Sequence, residues 1–120
     1  MDSILITIKK SLGIVDECED FDDELILFIN SVFSTLNQLG VGPEKGFSIQ
    51  DDTANWSDYL KDDLKLEFVK TYVCLNVKLL FDPPSSSTVI EAINRKISEL
   101  EWRINVAVDN TEKEGNDVEV

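Results

Sequence analysis

The sequence predicts an all-α fold: a small helical bundle of about four helices with a long loop and an extended acidic C-terminal arm. Three observations carry this. Apolar residues recur at spacings of three and four over residues 21–39, 64–81 and 87–104, the period of amphipathic helices. Asp82-Pro83-Pro84 interrupts the last two of these patterns. Neither proline donates a backbone hydrogen bond, and each disfavours helical geometry in the residue before it, so the two helices form a hairpin. Residues 40–55 hold three of the five glycines and read as loop.

Taken in order, residues 3–12 predict a short helix with Ile4, Ile8 and Leu12 on one face. Lys9 and Lys10 suit its C-terminal dipole and Gly13 its end, although the alternation of Ile4 to Ile8 also permits a strand. Residues 16–24 contain seven acids and no base. Asp20 or Asp22 is placed to cap the next helix, with Phe21 stapling onto Ile26 if Asp22 is the cap. Over 21–39 the core stripe is Leu25, Ile29, Val32, Leu36 and Leu39, with Ile26 and Phe33 off it. Asn55, with Asp58 three residues on, caps a single turn near 56–60.

Residues 64–81 are apolar on two faces: Leu64, Phe68, Tyr72, Leu75 and Leu79 on one; Leu66, Val69, Val73, Val77 and Leu80 on the other. A helix apolar around most of its circumference is either central or covered by another subunit. Serines 85–87 and Thr88 supply caps for the final helix. Its stripe is Val89, Ile93, Ile97, Leu100 and Ile104, and Glu–Arg pairs four apart mark its outer face. The expected organisation is a helical domain over 1–104 and a flexible acidic arm over 105–120. Within the arm, Val106-Ala107-Val108 reads as a short β-prone run.

The chain has 120 residues, of which 42% are apolar, enough for one domain with a real core. No apolar run approaches 18 residues and no signal-peptide pattern opens the chain, so synthesis in a cytoplasm and no membrane contact are expected. The Asn55-Trp56-Ser57 sequon is then coincidental. Cys18 and Cys74 lie in no metal-like spacing and read as reduced thiols, a disulfide remaining open. With no histidine, the commonest general base and metal ligand is missing, and no nucleophile, zinc, phosphate-loop or dinucleotide motif occurs. No enzyme activity, catalytic residue, metal or cofactor is predicted. A net charge of −13 disfavours binding to phosphate backbones and permits a basic partner or a DNA-repelling surface, the simpler reading being solubility.

Apolar residues beyond the needs of one core mark candidate subunit contacts: Ile26, Phe33, Leu66, Val73 and Val77. In the loop, Phe47 and Ile49 stand among polar residues as candidate anchors for a neighbouring subunit or another partner. The alternative is a loop folded back on its own domain through Phe47 and Trp56. Val106, Ala107 and Val108 are the candidate partner-binding arm, a run able to add a strand to an exposed sheet edge.

The order and spacing of several segments carry a resemblance. They are Ile6-Thr7-Ile8-Lys9-Lys10 with Leu12-Gly13-Ile14, Ile29-Asn30-Ser31-Val32, Leu36-Asn37-Gln38-Leu39-Gly40-Val41-Gly42-Pro43 and Gly46-Phe47-Ser48-Ile49. Trp56, Val69-Lys70-Thr71-Tyr72, Leu79-Leu80-Phe81-Asp82-Pro83-Pro84 and Glu99-Leu100-Glu101-Trp102-Arg103 follow. Over residues 4–108 the chain resembles the head–tail connector (head completion or adaptor) proteins of tailed phages and prophages of Gram-positive bacteria. The resemblance implies a virion protein at the head–tail interface. It implies a homo-oligomeric ring, about twelvefold, between the portal protein and a stopper or tail component. DNA passes through such a ring without sequence-specific binding. The other reading of the charge is a soluble acidic binder, a DNA mimic or an inhibitor of a basic protein.

Overall fold

The computed structural model describes residues 3–61 and 63–119, with side chains described except over 62–66 and 109–119. Five helices follow one another: α1 (Ile4–Ser11), α2 (Asp22–Gln38), α3 (Trp56–Tyr59), α4 (Asp63–Phe81) and α5 (Ser87–Glu119). Among the described residues there is no strand, only an isolated antiparallel bridge between Ser3 and Asn55.

The helix ends follow local chemistry. The Ser3 side chain accepts the Ile6 N–H and caps α1. After α1, Gly13 takes φ +78°, the Ile14 N–H returns to Lys9 O and the Gly13 N–H to Lys10 O. The same pattern closes α2, with Gly40 at φ +87°, Val41 N–H on Leu36 O and Gly40 N–H on Asn37 O. Both are Schellman ends, in which glycine accepts the left-handed backbone and the last carbonyls find donors. At α3, Asp58 Oδ2 accepts the Asn55 N–H at 2.9 Å. At α5, Ser86 Oγ accepts the Val89 N–H at 3.4 Å.

The start of α2 departs from expectation. Its N-cap is Phe21, without a side-chain cap. Asp22 instead faces Lys9 at 3.0 Å, and the Phe21 ring meets Phe81 edge-on with centroids 5.3 Å apart. An ion pair to a buried ammonium outweighs a cap bond that solvent can replace.

The core gathers Ile4, Leu5 and Ile8 from α1, Leu25, Ile29, Val32, Phe33 and Leu36 from α2, Val69, Tyr72, Val73 and Val77 from α4, and Ile97, Leu100 and Ile104 from α5. The helix α4 is central: α1 and α2 pack on it, and so does α5. Val69, Tyr72, Val73 and Val77, drawn from both of its apolar faces, are therefore covered within one chain, while Leu80 stays exposed.

The final helix runs on past Ile104 to Glu119, and this corrects the β-prone reading of Val106-Ala107-Val108. Ala107 and Val108 continue the three-and-four spacing from Leu100 and Ile104. They close over Val41, Phe68 and Val69 around a void of only about 10 Å³. Packing thereby overrides the mild helix penalty of β-branched residues. At 1.5 Å per residue a helix of 33 residues spans about 50 Å, which sets the molecule's longest dimension of 53 Å.

Candidate subunit and portal contact surfaces

The long loop is fastened to α2 by two asparagines. Asn30 Nδ2 donates to Ile49 O at 3.0 Å, and the Ile49 N–H donates to Asn30 Oδ1 at 2.8 Å. Asn37 Nδ2 donates to Pro43 O at 3.0 Å. Between these ties the Phe47 ring packs against Phe33 and Tyr59, with centroids 5.4 and 5.0 Å apart. Ile49 is fully within the core. The loop is thus folded back on its own domain, and its two apolar anchors point inward.

Gly42 permits this path. It sits at φ +87°, and a Cβ there would lie 2.5 Å from Tyr59 Cε1. The Tyr59 hydroxyl is buried without a hydrogen-bond partner among the described residues, and burial pushes its pKa well above the ordinary value. Below it, Trp56 Nε1 donates to Thr7 Oγ1 at 3.1 Å, and the Ile4 N–H to Ala54 O at 3.0 Å, tying the loop's end to α1.

The acidic turn is fastened by Lys9, whose side chain is almost wholly buried. Its Nζ sits 3.0 Å from Asp22 Oδ1 and donates to Asp16 O at 3.0 Å. Beside this pair, Glu19, Asp22, Asp23, Asp51 and Asp52 line an open cleft of about 420 Å³ with Leu5 and Ile26. The Asp51 carboxyl is held below the usual range by hydrogen bonds from the Thr53 hydroxyl and N–H. Among the described residues no group of three or more His, Cys, Asp or Glu is set to hold a metal ion.

The outer side of α5 is different. Trp102 is 66% exposed and Val106, one turn on, 36%. Arg103 bonds Glu99 at 2.9 Å and lies over the Phe68 ring, while Lys96 reaches the same carboxylate at 3.6 Å. The Arg103 hydrogen bond, with Lys96 behind it, holds the Glu99 pKa down. On the inner side, the Tyr72 hydroxyl donates to Glu101 Oε1 at 3.0 Å; burial, aided by that carboxylate, raises its pKa to about 12.

Of the five proposed subunit contacts, Phe33, Val73 and Val77 lie in the chain's own core, so none of the three is a surface group. Ile26 is half-buried at the rim of the acidic cleft. The Leu66 side chain lies outside the described residues. Val106 is exposed, whereas Ala107 and Val108 are half-buried against the loop and α4. Among the described residues, further large apolar groups are exposed at Val15, Phe21, Leu80 and Val89, and most of all at Trp102 and, on α2, Leu27, 68% exposed. Trp102 lies beside the stripe of Leu100 and Ile104, and the periodicity gives no sign that a residue this large stays uncovered. Lys9, Asn30 and Asn37 also escaped sequence reasoning. An asparagine within a helix, where its propensity is poor, was the available signal for the latter two. Cys18 and Cys74 are free thiols, and burial raises that of Cys74.

The fold is a small all-α bundle with an acidic cleft beside Ile26 and an exposed apolar face at Trp102. A family model described as phage connector protein matches residues 4–111. The chain belongs to this phage connector family and is a structural component of the virion. No curated protein and no solved structure gives a significant match. Among the described residues no helix is long and apolar enough to cross a membrane.

Proposed function

We propose that the chain is the subunit of a ring between portal and tail, which extends the DNA channel and docks the next component, a stopper or the tail. The family match over residues 4–111 is the observation that carries this reading. The surface is compatible with it. Large apolar side chains stand uncovered at Leu27 and Trp102, and an acidic surface keeps DNA from adhering as it passes. In this reading Ile26 belongs to a contact between copies. Phe47 and Ile49 act from within, holding the loop's exposed rim in shape for a neighbour or a tail-side partner. Residues 105–120 are the arm that engages the portal, chiefly through the part beyond Val108.

Mass measurement of the purified protein, alone and mixed with portal, tests the ring. Several copies per portal are expected. A chain that stays small and ignores portal supports the second reading, an acidic binder of a basic protein, which the acids gathered around the cleft at Ile26 favour. Truncation after Val108 tests the arm. It keeps the contacts of Ala107 and Val108 with Val41, so the protein should fold yet fail to join portal-bearing heads.

A further inference from the structure

We infer that the Trp102 face of α5 receives the Leu27 face of α2 from a second copy of this chain, so that copies join front to back. This deepens the ring reading and rests on it. Trp102 and Val106, with Phe68, Arg103 and Ala107, line an open hollow of about 250 Å³, which suits an aliphatic side chain. A large exposed aromatic flanked by arginine is the composition of an interface anchor.

The charges identify the occupant. In a chain of −13, the segment from Arg95 to Val106 holds three cations and only two acids. Both of those acids are already engaged, Glu99 by Arg103 and Lys96 and Glu101 by Tyr72. Leu27 is surrounded in the opposite sense. Asp23 and Glu24 precede it by one helical turn, and the acidic cleft opens beside Ile26. An apolar group with Asp23 and Glu24 on the turn before it thus matches an apolar hollow beside Arg103, the arrangement that steers association and fixes register. Both side chains are exposed and their helices pack on α4 rather than extensively on one another, so the two faces are free to meet between copies. A contact between two different faces is heterologous, and it closes into a ring when its rotation does.

The test uses full-length protein and portal-bearing heads, with ring occupancy read by electron microscopy and folding by thermal melting. Leu27→Lys and Trp102→Glu, each at an exposed position, should melt like the parent yet raise the concentration for half-occupancy about tenfold or more. The double variant replaces an apolar contact by a Lys–Glu pair and should recover much of the loss. If either single variant occupies heads as the parent does, or the double variant is no better than the singles, the inference is overturned while the ring stands. If a variant melts early, Leu27→Ser or Trp102→Ser takes its place under the same criterion. If the parent itself forms no ring on portal, the ring reading falls and this contact with it.

Discussion

Asn30 pairs with both backbone polar groups of Ile49, giving one hydrogen bond of 3.0 Å and accepting one of 2.8 Å. A helix side chain here does what a neighbouring strand does in a sheet, and it lets an irregular loop carry Ile49 into the core without orphaned backbone groups. Asn30→Ala should lower stability by ~1–3 kcal/mol, because the Ile49 N–H and C=O lose their partners where water enters poorly. Hydrogen exchange should quicken at Ile49 before it quickens in α4. Unchanged protection at Ile49 would mean that Phe47 alone fastens the loop.

Gly42 and Gly46 share a φ of +87° but differ in surroundings, since only at Gly42 would a Cβ meet Tyr59. Gly46→Ala should cost ~1 kcal/mol for the backbone alone. Gly42→Ala should cost clearly more and shift the near-ultraviolet dichroism of Tyr59. Equal melting temperatures for the two variants would contradict this packing.

Lys9→Ala leaves Asp22 beside the core without its cation, a loss of about 3 kcal/mol, at the low end for a buried pair because the Asp22 side chain keeps 25% exposure. Lys9→Met with Asp22→Leu should regain most of that, since an apolar pair of similar volume replaces a buried ion pair at little cost. Denaturant unfolding of both variants measures the difference.

Both tyrosines of the chain have raised pKa values, Tyr72 to about 12 and Tyr59 further. Tyrosinate absorbance should therefore stay absent near pH 10, where an unfolded chain ionises, and appear only near pH 12 or on unfolding. The sign follows from linkage. Above pH ~10 the unfolded state releases phenolic protons that the folded state keeps, so stability present below that pH is lost as the pH rises toward the folded value. Tyr72→Phe should flatten this loss, while lowering neutral-pH stability by ~0.5–1.5 kcal/mol through the missing bond to Glu101.

The helices were legible because their signals are local. Leu25, Ile29, Val32 and Leu36 repeat at helical spacing and are all buried, and Gly13 and Gly40 end helices as their backbone freedom suggests. What escaped depends on contacts distant in sequence. Nothing near Lys9 announces that Asp22 returns to meet it, and nothing near Val106 announces that Ala107 and Val108 close against Val41 and keep that run helical. Apolarity at Phe33, Val73 and Val77 is the same in sequence whether a core or a neighbour covers it. The answer lay in the path of α4 through the centre of the bundle and in the return of Phe47, Trp56 and Tyr59 over Phe33.

The central claim, a ring of this chain on the portal, is tested most directly by electron cryomicroscopy of the virion neck. The account predicts a closed ring of these helical subunits directly beneath the portal, with DNA along its axis. A neck in which portal meets stopper or tail with no such ring between them would contradict it.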